Sequence, residues 1–454
     1  MSVGPNEAAI RDLRASVRGA ILRPGEDGYD RARRVWNGMI DKRPALIVRC
    51  AGAADVIQAV QFARANNLLL SVRGGGHSAS GNAVCDAGLM IDLSAMRGIR
   101  VAPSRRTARA ESGVLLGEFD RETQAFGLAT TAGVVSTTGI AGLTLGGGIG
   151  FLGHKHGLAC DNLLSVDLVT ADGRLITASA SENPELFWGI RGGGGNFGIV
   201  TSFEYRLHPV GPTVLGGSVI YPFDKAREVL RFYAEYSLAA PDELSVDAIL
   251  ATSPAGQLVV VISACYIGSI EEGERVLRPL RAFGKPLADD IGPISYTDVQ
   301  RRADAIFPHG LQYYWKSGFV TRIGASAIDT LADRFPTVPS PKSLFVYQQY
   351  GGAVGRVGQA ETAFAHRQAQ YDFLVISVWS NPTEPESHIR WARESWDLMQ
   401  PFTTGAFYVN NLLDEDEVRI RAAYGENWPR LVALKNRYDP TNVFRLNANV
   451  RPTV

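Results

Sequence analysis

Apolar positions in the first half of the chain follow two alternating periods. Short runs rich in Val, Ile and Leu read as strands: PALIVRC (Pro44–Cys50), LLLSVRGGGH, LMIDLSAM and RTARAESG. SVDLVTADGRLITAS reads as a hairpin turning at Ala171-Asp172-Gly173. Between the first two runs, Val56, Ile57, Val60, Phe62 and Ala63 recur near the helical period and predict a helix over Ala53–Asn67. From about His208-Pro209 the pieces lengthen, as in GGSVIYPF, KAREVLRFYAEYSL, LVVVISACYIG, VYQQYGG and DFLVISVWS. Strands in a row with helices between them predict one antiparallel sheet covered by helices, an α+β arrangement. Near the C-terminus, Asp414-Glu415-Asp416-Glu417 reads as a first helical turn, favoured by the helix dipole. YGENWPRLVALKNRYDP then reads as a helix stopped by Pro440 and Asn442.

At 454 residues the chain exceeds one core of ordinary size, so two domains are expected, with a border near residue 209. Lys plus Arg and Asp plus Glu stand at 46 each, which argues against nucleic acid or an anionic membrane as partner. The first thirty or so residues lack the apolar core of a secretory signal, and no run is long enough to span a bilayer. Cys50, Cys85, Cys160 and Cys265 form no CxxC pair, which suggests neither zinc nor a disulfide framework. A cytoplasmic protein is the simplest expectation; oligomeric state is not encoded in any pattern found.

The chain's 48 glycines are clustered. Three glycine-rich stretches, SVRGGGHSASGN (Ser71–Asn82), TTAGVVSTTGIAGLTLGGGIGFLG (Thr130–Gly153) and IRGGGGNFGIVT (Ile190–Thr201), adjoin strand-like runs. Glycine lets backbone N–H groups approach a bound anion, usually a phosphate, although each cluster alone could be a tight turn. Gly148, Gly150 and Gly153 match the dinucleotide fingerprint, which should open a long helix. HKHGLACDN interrupts any such helix, and Asp167 falls in mid-strand, so a nicotinamide site is disfavoured. His154 and His156, at i, i+2 on a presumed strand, could join Cys160 at a metal, but no acidic ligands accompany them and none is expected.

RGGGHS, TTGIAGLTLGGGIG, HGLACDNLLSVDLVTADG, RGGGGNFGIVTSFEYRLHP and RYDPTNVFRLNANVRP, in that order, resemble the berberine-bridge-enzyme-like branch of the vanillyl-alcohol-oxidase/PCMH flavoprotein superfamily. The resemblance implies a PCMH-type FAD-binding domain over residues 1–208, a substrate domain over 209–405, and a segment over 406–454 returning to the first. It implies FAD bound covalently through His77, whose neutral imidazole suits the bond. Val135 stands where some relatives place a second, cysteinyl anchor, so a single link is expected. Ser71, Arg73, Gly74, Gly75, Gly76 and Ser78 would cradle the pyrophosphate, Arg73 by supporting the loop. Gly133, Val134, Thr138, Gly139 and Gly142 would follow the phosphate and ribose. Asn162, Gly195, Ile199 and Val200 would lie near the pyrophosphate, ribose and adenine, and Asn447 and Asn449 near the flavin ring.

The implied reaction takes hydride from a C–H beside a hydroxyl or amine of a small organic substrate, and oxygen returns the flavin to its oxidised state. Thr138, of modest size where bulkier residues are thought to restrict oxygen in relatives, favours an oxidase. Tyr408 and Asn410 match the family's Y-x-N-Y segment, but its second tyrosine is Asn411 here. Tyr408 is the first candidate for the catalytic proton acceptor and Gln348, on VYQQYGG, the second. That segment carries no carboxylate, and YYWKS (Tyr313–Ser317) offers aromatics and Lys316 as further lining. The alternatives are a flavin-binding protein without turnover, a flavin dehydrogenase using another acceptor, and an NAD-linked dehydrogenase.

Overall fold

The structure, a computed structural model, describes residues 6–413 and 416–454. Leu46–Arg49, Leu89–Asp92 and Leu70–Arg73 lie side by side in parallel, and Ala20–Leu22 extends this sheet antiparallel. Parallel neighbours need a long crossover, and the Ala53–Ala65 helix provides one. It buries Val56, Ala59, Val60 and Ala63. A second, antiparallel sheet runs in the order Ile99–Ala102, Thr107–Glu111, Ile199–Arg206, Leu163–Val169 and Leu175–Ser179. The last two strands form the hairpin predicted from sequence.

Beyond Pro209 the chain builds an eight-stranded antiparallel sheet. Leu244–Thr252, Leu344–Gln349, Tyr371–Trp379 and Gln312–Val320 are successive neighbours, the last at the sheet's edge. The helices Ala226–Leu238, Ile270–Ala282, Ala325–Arg334 and Pro385–Met399 contribute to the core on one face, against Tyr347, Phe373 and Val375. The opposite face carries Leu344, Leu374 and Ile376. Every residue of Tyr371–Trp379 is buried, which explains an apolar run without alternation. This is the α+β architecture of the expectation: a flavoprotein-type first unit and an antiparallel sheet wrapped by helices.

The C-terminal helix Trp428–Tyr438 inserts Leu431 and Leu434 among Phe187, Trp188 and Phe197 of the N-terminal half. Below it Lys435, fully buried, donates from Nζ to Asp439 Oδ2 (2.7 Å), Asn196 O (2.9 Å) and Phe444 O (2.8 Å). Each donor of the ammonium has an acceptor, which a buried charge requires. A second buried ion pair joins the two halves. Arg367 donates to both oxygens of Asp161, at 2.7 and 2.8 Å, and to Thr362 Oγ1.

The structure corrects some local expectations. His154 and His156 occupy a helical turn, Gly153–His156, not a strand. They consequently part: His154 meets Pro241 O, whereas His156 stacks on His208 at 3.8 Å. In the acidic run, residues 414 and 415 lie outside the described residues. Asp416 caps the Glu417–Tyr424 helix by accepting from the Arg419 N–H. Among the described residues no helix is long and apolar enough to cross a membrane.

Candidate active site

The three glycine-rich stretches converge on one cavity of about 620 Å³, between the flavoprotein-type unit and the open face of the large sheet. Its near walls are Gly74–Ser78, Gly133–Val135, Thr138, Gly139, Gly142, Gly194, Gly195, Ile199 and Val200. The tail contributes Phe444, Leu446, Asn447 and Ala448, and the sheet Trp315, Gln348, Leu374 and Ile376.

The glycines are where they are because backbone meets backbone. A Cβ on Gly75 would stand 2.4 Å from Gly139 N, and one on Gly74 would stand 2.9 Å from Ser112 O. Gly76 has φ +70°, a left-handed turn that aims the loop at the cavity. Among the described residues the backbone N–H groups of Gly75, Gly76, His77 and Ser78 find no protein acceptor. Four consecutive donors at a cavity wall form a seat for an anion.

His77 stacks on Trp36 (ring centroids 4.4 Å), which stacks in turn on Tyr313 (3.7 Å). Its Nε2 is buried without a partner. Burial, with a smaller effect of nearby His309, pushes the imidazole down to about 3, so the ring is neutral near pH 7. Asn447 donates to Gly195 O (3.0 Å) while its Oδ1 is also buried and unpartnered. These orphaned polar atoms, the four free N–H groups and the cavity's size fit a phosphate-bearing cofactor such as FAD. None of the four cysteines lines the cavity, and Val135 does.

Four expected binding residues lie outside the lining. Ser71 and Arg73 alternate with Leu70 and Val72, which face the cavity, so their side chains point away. Ser71 Oγ meets Cys85 Sγ at 3.3 Å. Arg73 donates to Ala32 O at 2.6 Å and lies against Gly76, supporting the loop from behind. Asn162 is spent on His156 O, Leu158 O and the His208 ring. Asn449 lies beyond Ala448, off the wall, with a buried unpartnered Oδ1.

On the substrate side Gln348 lines the cavity. Tyr408 lines it too, but its hydroxyl accepts from Gly148 N–H (2.9 Å) and Asn410 Nδ2 (2.8 Å), and burial drives its pKa upward. The two donors favour the phenolate, while burial, the larger effect, opposes it. Asn410 also donates to Leu143 O (3.0 Å), locking the tail against the glycine-rich helix Ile140–Leu145. Lys316 lies on the opposite face of its strand, toward Tyr314, and does not line the cavity.

Asp372 escaped the sequence reading. It pairs with Gln348 across the two strands and is fully buried, accepting from Asn411 Nδ2 at 2.7 Å with its other oxygen unpartnered. Burial pushes its carboxyl up to about 8. The available signal was one acid at the head of the otherwise uncharged run DFLVISVW.

The comparisons with known proteins agree with this geometry. Residues 44–179 match the family model described as FAD binding domain, and residues 408–451 match "Berberine and berberine like". An FAD-linked oxidoreductase of Dictyostelium discoideum is 33% identical over 98% of this chain and 97% of its own length. The chain belongs to the berberine-bridge-enzyme-like family of FAD-linked oxidoreductases. (R)-6-hydroxynicotine oxidase of Paenarthrobacter nicotinovorans is 32% identical over 96% of this chain and 97% of that protein. The crystal structure of 6-hydroxy-D-nicotine oxidase from Arthrobacter nicotinovorans superposes with a TM-score of 0.89 at 30% identity, covering 96% of this chain and 98% of that one.

Proposed function

We propose that this protein is a flavin-dependent oxidase whose FAD is held by a single covalent bond from His77. The observation that carries the reading is the buried, unpartnered Nε2 of a neutral imidazole, on a cavity wall where four successive residues have backbone N–H groups without a protein acceptor. When bound, FAD supplies a two-electron acceptor that oxygen can regenerate.

The chain's own residues divide the remaining work. Gly74, Gly75, Gly76 and Ser78, with Gly133, Val134, Thr138, Gly139 and Gly142, hold the phosphates and ribose through backbone donors; Gly195, Ile199, Val200 and Asn447 close over the rest. Trp36 fixes the His77 ring by stacking, and Val135 leaves no second anchor. Tyr408 and Asn410 set the distance between tail and glycine loop. Gln348 and Asn411 are the polar groups offered to a small organic substrate on the sheet face. Residues 1–208 and 406–454 together build the cofactor side, and residues 209–405 most of the substrate side.

Intact mass after acid precipitation tests the reading. The expected result is polypeptide plus one FAD, reduced to bare polypeptide in His77→Ala. Bare polypeptide in the wild-type protein, or an unchanged adduct in His77→Ala, would refute the tether.

A further inference from the structure

Oxidation of a C–H beside a heteroatom leaves a proton to be placed. A hydroxyl or an ammonium gives up its proton as the carbon gives up hydride, so a base must come within hydrogen-bond reach. The described lining of the cavity offers three titratable side chains, His77, Tyr408 and Tyr424. His77 is the cofactor anchor of the reading above. Burial keeps Tyr408 protonated, which leaves it unable to take a proton near neutral pH. Tyr424 lies against Gly193 O, Ala448 O and Asn196, away from the sheet.

Asp372 stands immediately behind this wall. Leu374 and Ile376, two and four residues on, line the cavity, and so does Gln348, its partner on the next strand. Alternation along a strand and pairing across it put all four side chains on one face. The carboxyl is fully buried there. Its Oδ2 accepts from Asn411 Nδ2 at 2.7 Å, whereas Oδ1 has no partner among the described residues. A buried polar atom left so costs stability, and its place beside the cavity suits the donor of a ligand. Asn411 is itself fixed, its N–H donating to Tyr408 O (2.9 Å) and its carbonyl accepting from Trp315 Nε1 (3.0 Å). The Gln348 amide makes no hydrogen bond among the described residues, so it can turn aside as a substrate settles.

Among the described residues no cation faces this carboxyl. Across the strands its partners are Gln348 and Phe319. Lys316 pairs with Val375 and Tyr347 with Phe373, so both point to the other side of the sheet, and the tail brings Tyr408 within electrostatic reach. Burial therefore outweighs the Asn411 hydrogen bond and lifts the carboxyl to about 8. Once ionised, it is a stronger base than a carboxylate in water.

Resting on the flavin-oxidase reading, we propose that Asp372 is the proton acceptor of the reaction, its Oδ1 meeting the substrate's O–H or N–H while Asn411 holds Oδ2. The C–H bond breaks with its electron pair, which leaves as hydride to the flavin. The O–H or N–H bond breaks toward Oδ1, and the pair left on the heteroatom becomes the second bond of C=O or C=N. The carboxyl then returns its proton to solvent. Oxygen takes the hydride's two electrons and its proton, with one further proton from solvent, and becomes hydrogen peroxide.

Holoenzyme and its Asp372→Asn variant, which keeps the side chain's size and an oxygen for Asn411, test this. Both should carry the same flavin adduct by intact mass. Mixed anaerobically with 1-phenylethanol or 1-phenylethylamine, the wild-type flavin should bleach at a limiting rate that rises about tenfold per pH unit and levels above about 8. With the same donor the variant should bleach about 100-fold more slowly or less, without that inflexion. A second measurement needs no turnover. The infrared band of the protonated Asp372 carboxyl, recognised by its loss in the variant, should shift when 2-phenylpropan-2-ol is added at about pH 6, below the carboxyl's pKa of about 8. That alcohol has a hydroxyl but no C–H beside it, so it cannot be oxidised; isopropylbenzene, without the hydroxyl, should leave the band in place. Equal bleaching of variant and wild type, an inflexion that survives the substitution, or a band indifferent to the alcohol would each overturn the assignment; if neither donor bleaches the flavin, the band alone decides. A preparation without flavin, or one whose dithionite-reduced flavin is not reoxidised by oxygen, would instead defeat the oxidase reading beneath it.

Discussion

Gly75 and Gly142 both line the cavity, yet an added methyl should act differently at each. At Gly75 the Cβ would lie 2.4 Å from Gly139 N and 2.5 Å from Gly139 Cα. Ordinary contact is about 3.4 Å or more, so the two loops must separate by roughly 1 Å; overpacking of this kind costs about 1–3 kcal/mol. Both loops line the cavity proposed to hold the cofactor, so FAD affinity should fall about 5- to 150-fold if that cost is expressed in binding. At Gly142, within the helix Ile140–Leu145, a Cβ meets no protein atom within 4 Å. The helix itself should gain about 0.5–1 kcal/mol, while the methyl projects into space that the cofactor needs. In a His77→Ala background, where FAD exchanges, urea titration without FAD and flavin-fluorescence titration with it separate the effects. Gly75→Ala should lower both stability and affinity; Gly142→Ala should lower affinity alone. Equal affinity in both variants and the parent would refute the placement of the cofactor between these loops.

Two further perturbations probe the frame. Arg367→Met leaves the Asp161 carboxylate buried without its guanidinium and should cost about 3–5 kcal/mol, whereas adding Asp161→Asn should recover part of that in a double-mutant cycle; additive losses would mean the pair is not coupled. Asp372→Asn should change how stability depends on pH. The unfolded carboxyl ionises near pH 4, roughly its unperturbed value, while the buried one holds its proton to about 8. Wild-type stability therefore falls as pH rises between these limits, and the variant lacks that contribution. The difference in thermal midpoint should move in the variant's favour from pH 5 to pH 8 and then level; a constant difference would show that Asp372 is ionised throughout.

Much of the fold was legible because burial left periodic traces. The Ala53–Ala65 helix, the Leu163–Ser179 hairpin and the long strands of the large sheet all carry them. The glycine wall of the cavity was legible because backbone approach demands glycine, as at Gly75 and Gly139. Ser71 lies outside the cavity lining because a motif names neighbours in sequence, whereas a strand sends alternate neighbours to opposite faces. Asp372 was invisible because its meaning comes from Asn411, 39 residues away, on a segment that joins the sheet only after folding. Tyr408 was named by motif as the first candidate proton acceptor, but the bonds its hydroxyl accepts come from Gly148 and Asn410, and no local pattern reports them.

The cavity draws its walls from Trp36 at one extreme and Ala448 at the other. A ribosome releases those parts in order, and early units fold before later ones exist. Residues 444–448 are pinned by Lys435 only once the helix from Trp428 has docked. The nascent chain can shape its glycine loops early, but it cannot enclose a guest until synthesis has passed residue 448. Cofactor capture is thus a late event in the protein's birth, and a stall anywhere upstream should yield a colourless fragment.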